Sequence, residues 1–397
     1  MSAKVLLHVG TPKTGTSHLQ DVLFRNRERL AGHGIHYPAD RFDGQFLAAL
    51  DLMRMPWGGL ETQAVGAWDD LAARVRAAEG TSIVSHEILA AASASEVARA
   101  LESLGHGDGA EVHLVLSVRD LARQVPAEWQ ENVKHRATLS YAKFLRKIRD
   151  PHRNGRIPSW FWAVQEVPDI LDRWGSALPP ERVHVVTVPQ PDAPRSLLWE
   201  RFSSVMGLDG LELDLDSERA NPSLGVPETA LVRRLNRKVN RVIEPAAYRE
   251  LVRELIVHRT LSQRTRTARL TLPPEVHPWA VELSEAWTAE IRDRGYDVVG
   301  DLDDLRCGPP ATSYVDPDSP REKQVTSAAT VALRALLEEH VRLMSERDRL
   351  VVERDEARWE AQAALSARLR RRLETNLAGR VALKAYRVGR GRSSLSA

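Results

Sequence analysis

The sequence is poor in the residues that mark secreted, metal-binding or membrane-spanning proteins. Its 397 residues include one cysteine, Cys307, which excludes an intrachain disulfide and suits a reducing compartment. No H-E-x-x-H or C-x-x-C spacing occurs, so a zinc site has little support. No run of about 18 apolar residues is present, and the apolar stretch at the N-terminus is too short for a signal peptide. We therefore expect a cytoplasmic protein with no metal and no transmembrane segment.

The composition is ordinary for a globular protein. Hydrophobic residues make up 43% and charged residues 28% of the chain, and 56 basic against 54 acidic residues leave a net charge of +2. A chain of this length and composition can bury one large core or two smaller ones.

A glycine-bounded turn near the N-terminus is the most informative feature of the sequence. The apolar run 5–9, VLLHV, predicts a buried strand, and the residues after it, GTPKTGTS, predict a turn that opens a helix. Exposed N–H groups and the positive end of the helix dipole favour an anion at such a position. A phosphate or sulfate is the expected ligand. The alternative is an ordinary strand-to-helix turn with a surface lysine.

This turn differs from the nucleotide-binding sequence G-x-x-x-x-G-K-[ST]. Gly10 and Gly15 have the right separation, but Thr16 stands where the lysine of that sequence would be, and the lysine comes earlier, at Lys13. A magnesium-dependent ATPase, GTPase or kinase is therefore disfavoured.

Residues 12–17, PKTGTS, closely resemble the 5′-phosphosulfate-binding loop of sulfotransferases that use 3′-phosphoadenosine 5′-phosphosulfate (PAPS). The resemblance implies a P-loop-like sulfotransferase fold, PAPS as co-substrate and adenosine 3′,5′-bisphosphate as product. It implies that Lys13 is catalytic and contacts the bridging oxygen of the donor. The residues that it assigns to donor binding in this loop are Pro12, Lys13, Thr14, Gly15, Thr16 and Ser17.

A second segment fits the same family. Residues 112–119, VHLVLSVR, predict another buried strand, which ends at Arg119 and runs into a helix. Open α/β sheets bind ligands beyond the carboxyl ends of their strands, so Arg119 should lie at the same edge as the first turn. The resemblance implies that Arg119 binds the 3′-phosphate of the donor; a salt bridge at a strand end is the alternative. Ala127 replaces the serine of the family pattern, so we expect Arg123 or Lys134 to supply the missing contact.

A third segment supplies candidates for the general base. Residues 81–89, TSIVSHEIL, predict a short strand that delivers His86 and Glu87 to the same edge. Sulfuryl transfer to an alcohol or amine needs a group that removes the proton of the acceptor. Cytosolic sulfotransferases carry a histidine at this strand end and several carbohydrate sulfotransferases a glutamate; aligning the strand ends favours Glu87 over His86. Alternatively, Glu87 is the first-turn acid of the next helix, whose dipole would make it a weaker base.

Strand and helix patterns alternate along most of the chain. This alternation predicts an α/β fold in which a parallel sheet, with a further strand at 183–188, is flanked by helices on both faces. The predicted helices lie at about 17–31, 62–79, 88–104, 120–136, 160–174, 194–206, 227–240 and 245–258, with another in the segment 273–305.

Recognition of the acceptor is the least determined feature. Aromatic faces pack on sugar rings and Gln or Glu side chains bind hydroxyls, so a carbohydrate acceptor is one interpretation, and core aromatics are the other. The segment 221–225, NPSLG, could approach the donor, with a turn leading into a helix as the alternative. The candidate acceptor residues are Trp129, Gln130, Glu131, His135, Trp160, Phe161 and Trp162.

The composition changes after the predicted sulfotransferase-like α/β domain, which covers residues 1–307. We interpret residues 308–325 as an exposed linker rich in Pro, Ser and Asp, residues 326–376 as a helical, partly coiled-coil arm, and residues 377–397 as a disordered basic tail.

The arm has an incomplete heptad pattern. Apolar residues recur every seven positions, but the companion core positions are polar, so the coiled coil should be weak. It could form a homodimer stalk or fold back on the rest of the protein. The apolar positions are Leu336, Leu343, Leu350 and Ala357, and the polar companions are His340, Arg347 and Arg354.

The C-terminal end is strongly basic. Residues 361–397 carry nine Lys or Arg against one acid, Glu374, a local balance of +8. Such a segment could contact an anionic membrane surface, which would make the protein membrane-peripheral, or a nucleic acid or an acidic glycan; a solubilising tail is the alternative.

Two functions of different class follow from these patterns. In the first, the protein moves a sulfuryl group from PAPS to a hydroxyl or amine of a glycan, glycolipid or small metabolite. Lys13 would stabilise the leaving phosphate during in-line transfer, and Glu87 would be the base. In the second, suggested by Ala127, it is a sulfotransferase-like binding or assembly protein that recruits partners through its helical arm.

Overall fold

The computed structural model of this chain describes residues 2–216, 223–375, 378–382 and 384–386. The chain divides into two compact units, Met1–Ala332 and Leu333–Ala397, which we call the body and the arm. The body contains the sheet, and the described part of the arm is mostly helical.

The body is built around a six-stranded, all-parallel sheet flanked by helices, which confirms the predicted α/β class. Its strands are β1 (Lys4–His8), β2 (Ile35–His36), β3 (Thr81–Ser85), β4 (Glu111–Val118), β5 (Val183–Thr187) and β6 (Asp297–Val299). Their order across the sheet is β2-β3-β1-β4-β5-β6, so β1 lies between β3 and β4. The register pairs His8 with Ser85 on one side and with Val115 on the other.

Helices connect the strands and cover the sheet. The α-helices of the described residues are α1 (Thr16–Arg25), α2 (Arg27–Ala31), α3 (Gly44–Leu52), α4 (Ala67–Ala77), α5 (Ala94–Ser103), α6 (Leu121–Lys134), α7 (Tyr141–Ile148), α8 (Arg156–Gln165), α9 (Val167–Gly175), α10 (Leu197–Met206), α11 (Val226–Val239), α12 (Pro245–Tyr248), α13 (His277–Asp293) and α14 (Glu322–Glu374). A 3₁₀-helix, Glu87–Ala91, follows β3, and a π-helix, Arg249–Thr260, continues α12.

Several predicted helices are divided in the structure. The helix expected at 160–174 breaks at Glu166, because Pro168 has no N–H to donate to the backbone oxygen of Val164 and its ring would clash with that oxygen in a continuous helix. The helix expected at 88–104 is a 3₁₀ turn followed by α5, which starts at a Ser93 capping box. The sequence patterns also did not predict β2, β6, α3 and α7; the two strands have two and three residues, too short for a periodic pattern.

The central strands form a continuous apolar core. Val5, Leu6 and Leu7 of β1 are at most 1% exposed, as expected for parallel strands covered on both faces. The exception is His8, which is fully buried and hydrogen-bonded to the hydroxyls of Ser85 on β3, at 2.8 Å, and Ser117 on β4, at 3.1 Å. Burial lowers the pKa of His8 to about 4, so its ring is neutral at physiological pH.

The second half of the segment 308–325 is partly buried, whereas its first residues are mostly exposed, as its composition suggests. Pro317 and Pro320 are buried. The carboxylate of Asp318 accepts a hydrogen bond from the backbone N–H of Tyr141, at 3.1 Å, and pairs with Arg233, at 2.7 Å. Composition therefore predicted the exposure of only part of this segment.

The arm is dominated by α14, a helix of 53 residues that starts in the body. Leu343, Leu350 and Trp359 on this helix are 45%, 52% and 71% exposed. Much of the basic tail, including Arg387 and Arg390, lies outside the described residues. No helix in the described part of the chain has the length and apolar character needed to cross a bilayer.

Candidate functional site

Three loops meet at the carboxyl end of β1. Because all strands are parallel, the segments that follow β1, β3 and β4 leave the sheet at the same edge. β1 has β3 on one side and β4 on the other, so the direction of chain winding reverses at this point. Open α/β sheets bind ligands in the crevice at such a reversal. The structure therefore brings Lys13, Glu87 and Arg119 to one edge, as the sequence predicts.

The turn after β1 presents unpaired backbone donors. Lys13 and Gly15 have positive φ angles of 68° and 90°. Backbone in which the sign of φ alternates directs successive N–H groups toward one concave site. No backbone N–H of residues 13–17 donates a hydrogen bond within the described part of the chain. Helix α1 begins at Thr16 without a side-chain cap, so its dipole adds positive potential at the turn.

The two glycines of the turn are required where they stand. A Cβ on Gly10, where φ is +130°, would lie 2.9 Å from the backbone oxygen of Glu87. A Cβ on Gly15 would lie 2.7 Å from Cδ2 of Leu198. The first contact is a close approach of two backbones, which brings the turn against the segment that carries Glu87.

The hydroxyls of the turn are not all available to a ligand. The Thr14 hydroxyl donates to the backbone oxygen of Thr11, at 2.6 Å, and so closes the turn on itself. Thr16 is buried, whereas Ser17 is partly exposed. The backbone N–H groups are therefore the main donors that the turn offers.

Arg119 lies directly beneath the turn. Its guanidinium Nη1 donates to the backbone oxygen of Lys13, at 3.1 Å. Its Nε is buried without a hydrogen-bond partner, and the side chain makes no ion pair within the described residues. Burial, reinforced by Arg123, lowers the pKa of Arg119 to about 10, which still leaves it charged at neutral pH. An unpaired, largely buried cation beside unpaired N–H groups is suited to an anion.

The Lys13 ammonium is held by a carboxylate from α6. Its Nζ is 2.5 Å from Oε2 of Glu131. Glu131 is also 3.1 Å from His135, 3.6 Å from Lys134 and 3.7 Å from Arg253 of the π-helix. Burial raises the pKa of Glu131. Lys13 and the other cationic neighbours lower it by more, so the pKa lies well below the usual range. The carboxylate therefore keeps the lysine at the mouth of the turn.

Glu87 and His86 differ in how they are held. The Glu87 carboxylate accepts a hydrogen bond from the side-chain amide of Gln20, at 2.9 Å. Burial raises its pKa, but His86 and Gln20 outweigh burial, so the net shift is downward. Nδ1 of His86 accepts a hydrogen bond from the Ile88 N–H, at 3.3 Å, and its ring stacks on Phe46. That bond places the proton on Nε2 of a neutral His86, so Glu87 is the freer proton acceptor.

Buried side-chain amides hold the turn through hydrogen bonds. The side-chain nitrogen of Gln124 donates to the backbone oxygen of Pro12 and to Gln165, and Gln165 donates to Glu128, at 3.0 Å. Burial raises the pKa of Glu128 to about 7. Gln124 and Glu128 were not predicted from the sequence, although Glu128, Glu131 and His135 follow helical spacing on one face of α6 and could have signalled a polar site.

An aromatic wall adjoins the turn. The rings of Phe46 and Trp57 are 5.6 Å apart, Trp57 lies 5.6 Å from His135, and Trp57 lies 6.2 Å from Trp160. Phe46, Trp57 and Trp160 are all partly exposed. Phe46 and Trp57 were not among the predicted site residues, because they lie in a helix and loop that carry no recognisable motif.

The remaining candidates lie away from the turn or serve the core. Trp129 and Phe161 are fully buried, and Trp162 is 7% exposed, as core aromatics would be. Gln130 is buried and bonds both backbone groups of Leu224.

Arg123 joins the start of α6 to the end of β5. It pairs with Asp120 and donates to the backbone oxygens of Val188 and Pro189. Lys134 is buried, and burial lowers its pKa to about 8. In the segment 221–225, the first two residues lie outside the described chain, and Gly225 precedes α11.

The described residues contain no group of three or more His, Cys, Asp or Glu side chains arranged to hold a metal ion. Comparison of the chain with models of protein families, with curated proteins and with solved structures finds no match. The functional assignment therefore depends on the chemistry of the site itself.

Proposed function

We propose that the protein is a PAPS-dependent sulfotransferase whose donor site is the turn after β1. The observation that carries the proposal is the position of Arg119, a largely buried cation with no acidic partner among the described residues, against the Lys13 carbonyl. The donor has two anionic ends, a 5′-phosphosulfate and a 3′-phosphate. The turn offers N–H groups and Lys13 to the first, and Arg119 offers a guanidinium to the second.

The residues of the site fit such a donor. The unpaired N–H groups of residues 13–17 and the buried Nε of Arg119 all lack acceptors, and phosphate and sulfate oxygens would supply them. Bound PAPS would supply an activated sulfuryl group. The P-loop-like sulfotransferase fold belongs to the same proposal, supported by a sheet in which β1 lies between β3 and β4.

The side chains of the site have different roles in the transfer. As the sulfur–oxygen bond to the phosphate breaks and the bond to the acceptor oxygen or nitrogen forms, negative charge moves onto the phosphate oxygen. Lys13 and the N–H groups of the turn neutralise that charge. The acceptor proton passes to a carboxylate oxygen of Glu87. Glu131 holds Lys13 in position until the donor phosphate takes over its ammonium.

A second candidate is a non-catalytic binding protein of the same architecture. It is favoured by the ion pair of Lys13 with Glu131, which occupies the ammonium, and by Ala127 where the family pattern has a serine. This candidate predicts that the turn binds no adenosine bisphosphate, whereas the sulfotransferase proposal requires that it does.

Calorimetry with adenosine 3′,5′-bisphosphate tests the donor site. We expect one molecule to bind per chain, and Arg119→Gln to weaken binding by about tenfold to a hundredfold, because a charge-assisted contact is lost. Binding of adenosine 5′-monophosphate, which lacks the 3′-phosphate, should change little in this variant. The control is Arg292→Gln, an exposed arginine of α13. No binding by the parent chain would reject the proposal in favour of the second candidate.

A further inference from the structure

A cavity of the body lies beside the aromatic wall. It has a volume of about 920 Å³ and is formed by the end of α6, the loop 137–140, α7, the start of α8 and α11. A space of this size can hold a ligand larger than a typical metabolite. We call it the basic cleft, because five of its lining residues are Lys or Arg and none is Asp or Glu.

The cations of the basic cleft have no carboxylate partners. Lys143, Lys147, Arg156 and Arg237 are exposed, and none of them forms an ion pair with another of the described residues. Lys143 and Lys147 lie one turn apart on α7, separated by a rise of about 6 Å. Several like charges that converge on one cavity without counter-charges repel one another, which a bound anion would relieve.

Arg136 adds to this potential although its hydrogen bonds are satisfied. Its guanidinium donates to the backbone oxygens of Asn240, at 2.7 Å, and Ile243, at 2.9 Å. These oxygens are neutral, so the positive charge is fixed in place without being cancelled.

Neighbouring arginines of the body have carboxylate partners, unlike the cations of the basic cleft. Arg153 pairs with Glu166, and Arg234 pairs with Glu322 at 2.6 Å. The basic cleft thus differs from its surroundings in having several cations and no carboxylate among its lining residues.

The basic cleft leads to the candidate active site through a shared residue. His135 lines the cleft, and its Nε2 is 3.1 Å from Glu131, the partner of Lys13. Trp57 contacts the ring of His135 and lies beside Trp160. A ligand anchored in the cleft could therefore extend along two partly exposed indole rings toward the turn.

We propose that the basic cleft binds the anionic groups of an acidic oligosaccharide, which is the acceptor class for the transfer described above. Indole faces pack on sugar rings, and the cleft offers Asn132, Thr138 and Ser140 to hydroxyls beside its cations. Sulfate and carboxylate groups on the sugar chain are both negatively charged, and either could bind the cations of the cleft. The acceptor role rests on the proposed sulfotransferase function, whereas binding of the oligosaccharide does not.

The test uses the full-length protein and four probes of matched length. These are a fully sulfated pentasaccharide, a pentamer of galacturonic acid with carboxylates only, neutral maltopentaose, and a five-residue single-stranded oligonucleotide. Binding is measured by calorimetry at low and at physiological ionic strength. We expect the two acidic sugars to bind at least about tenfold more tightly than maltopentaose, and salt to weaken both.

A triple variant locates the binding. Lys143→Gln/Lys147→Gln/Arg156→Gln should weaken binding of the acidic sugars by at least about tenfold. The control is a triple variant of exposed cations that do not line the cleft, Arg259→Gln/Arg292→Gln/Lys323→Gln, which removes the same charge. It should change binding by less than about threefold.

Several results would overturn the proposal. These are equal binding of maltopentaose, no binding of either acidic sugar, equal losses in the two triple variants, or tighter binding of the oligonucleotide. Adenosine 3′,5′-bisphosphate should bind the cleft variant as it binds the parent. If the parent does not bind that nucleotide but still binds acidic sugars through the cleft, the sulfotransferase function and the acceptor role fail, and the binding site stands.

Discussion

At the scale of single residues, the site depends on charges whose partners are unusual. Arg119 has no acidic partner among the described residues, and Lys13 has one, Glu131, that it must exchange for the donor. Glu87 is ionised although burial opposes its charge. These three groups determine whether the turn can bind an anion and remove a proton.

The choice of base can be tested at Glu87. Glu87→Gln should lower the rate of sulfur transfer from labelled PAPS by about 10²-fold to 10⁴-fold, because the acceptor proton loses its carboxylate. The parent rate should be flat through neutral pH, because the pKa of Glu87 lies below its ordinary value and the group is already ionised. Binding of adenosine 3′,5′-bisphosphate should be retained. The matched variant His86→Gln should keep most of the rate; a loss there with an active Glu87→Gln enzyme would assign the base to His86.

The buried His8 should make stability depend on pH. Between pH 6.5 and about 4, the unfolded chain binds a proton at this ring that the folded chain does not. Its contribution to the free energy of unfolding is therefore present above pH 6.5 and is lost as the pH falls, by up to about 3 kcal/mol.

Urea unfolding at a series of pH values measures this effect. His8→Gln keeps polar groups between Ser85 and Ser117 but cannot titrate, so its unfolding free energy should fall less steeply on acidification than that of the parent. The other histidines contribute equally to the pH dependence of the unfolding free energy in both proteins. Parallel pH profiles would show that His8 is not the group responsible.

At the scale of elements, the turn and α1 work as one unit. The positive φ of Gly15 both opens the helix and leaves its first N–H groups unpaired. Gly66, which precedes α4, has a similar φ of +83°, but a Cβ added there would meet nothing within 4 Å.

These two glycines form a matched pair. Gly15→Ala and Gly66→Ala should each destabilise the protein by about 1–2 kcal/mol, because alanine is strained in left-handed backbone. Only Gly15→Ala should also weaken binding of adenosine 3′,5′-bisphosphate, since relief of the backbone strain at residue 15 shifts the unpaired N–H groups of the turn. Thermal unfolding and calorimetry measure the two effects; equal nucleotide affinity in both variants would contradict an anion site at the turn.

The elements that the sequence predicted best are those with strong local patterns. The strands around Leu6 and Leu114 are long apolar runs that are buried on both faces, so periodicity and length identify them. The break at Glu166 and the π-helix Arg249–Thr260 depend on a proline rule and on packing, which periodicity does not register.

At the scale of the whole molecule, the arm carries an exposed apolar stripe on α14. Leu343 and Leu350 are 45% and 52% exposed, and they fall seven residues apart on α14. Arg347, between them, pairs with Asp348 and is kept at the surface. We propose that a second copy of the arm covers this stripe in a weak homodimer.

Sedimentation equilibrium of the full chain tests the dimer. The parent should associate reversibly, with a dissociation constant no tighter than about 1 μM, because polar residues at the companion positions weaken the seam. Leu343→Lys/Leu350→Lys should remain monomeric, and Arg349→Ala/Glu353→Ala, which breaks a surface pair on the same helix, should still associate. A parent that is monomeric at all concentrations would refute this role of the arm.

The sequence by itself determined the position of the turn and the parallel sheet behind it. Strand, glycines, lysine and helix start lie within a few positions of each other, where local backbone preferences and hydrophobic periodicity decide the structure. Only the tertiary structure decided what meets the turn. Glu131, the partner of Lys13, is 118 positions away from it. The cations of the basic cleft likewise come from separate helices. No local pattern encodes such contacts, because they exist only once the burial of apolar faces has packed the helices on the sheet.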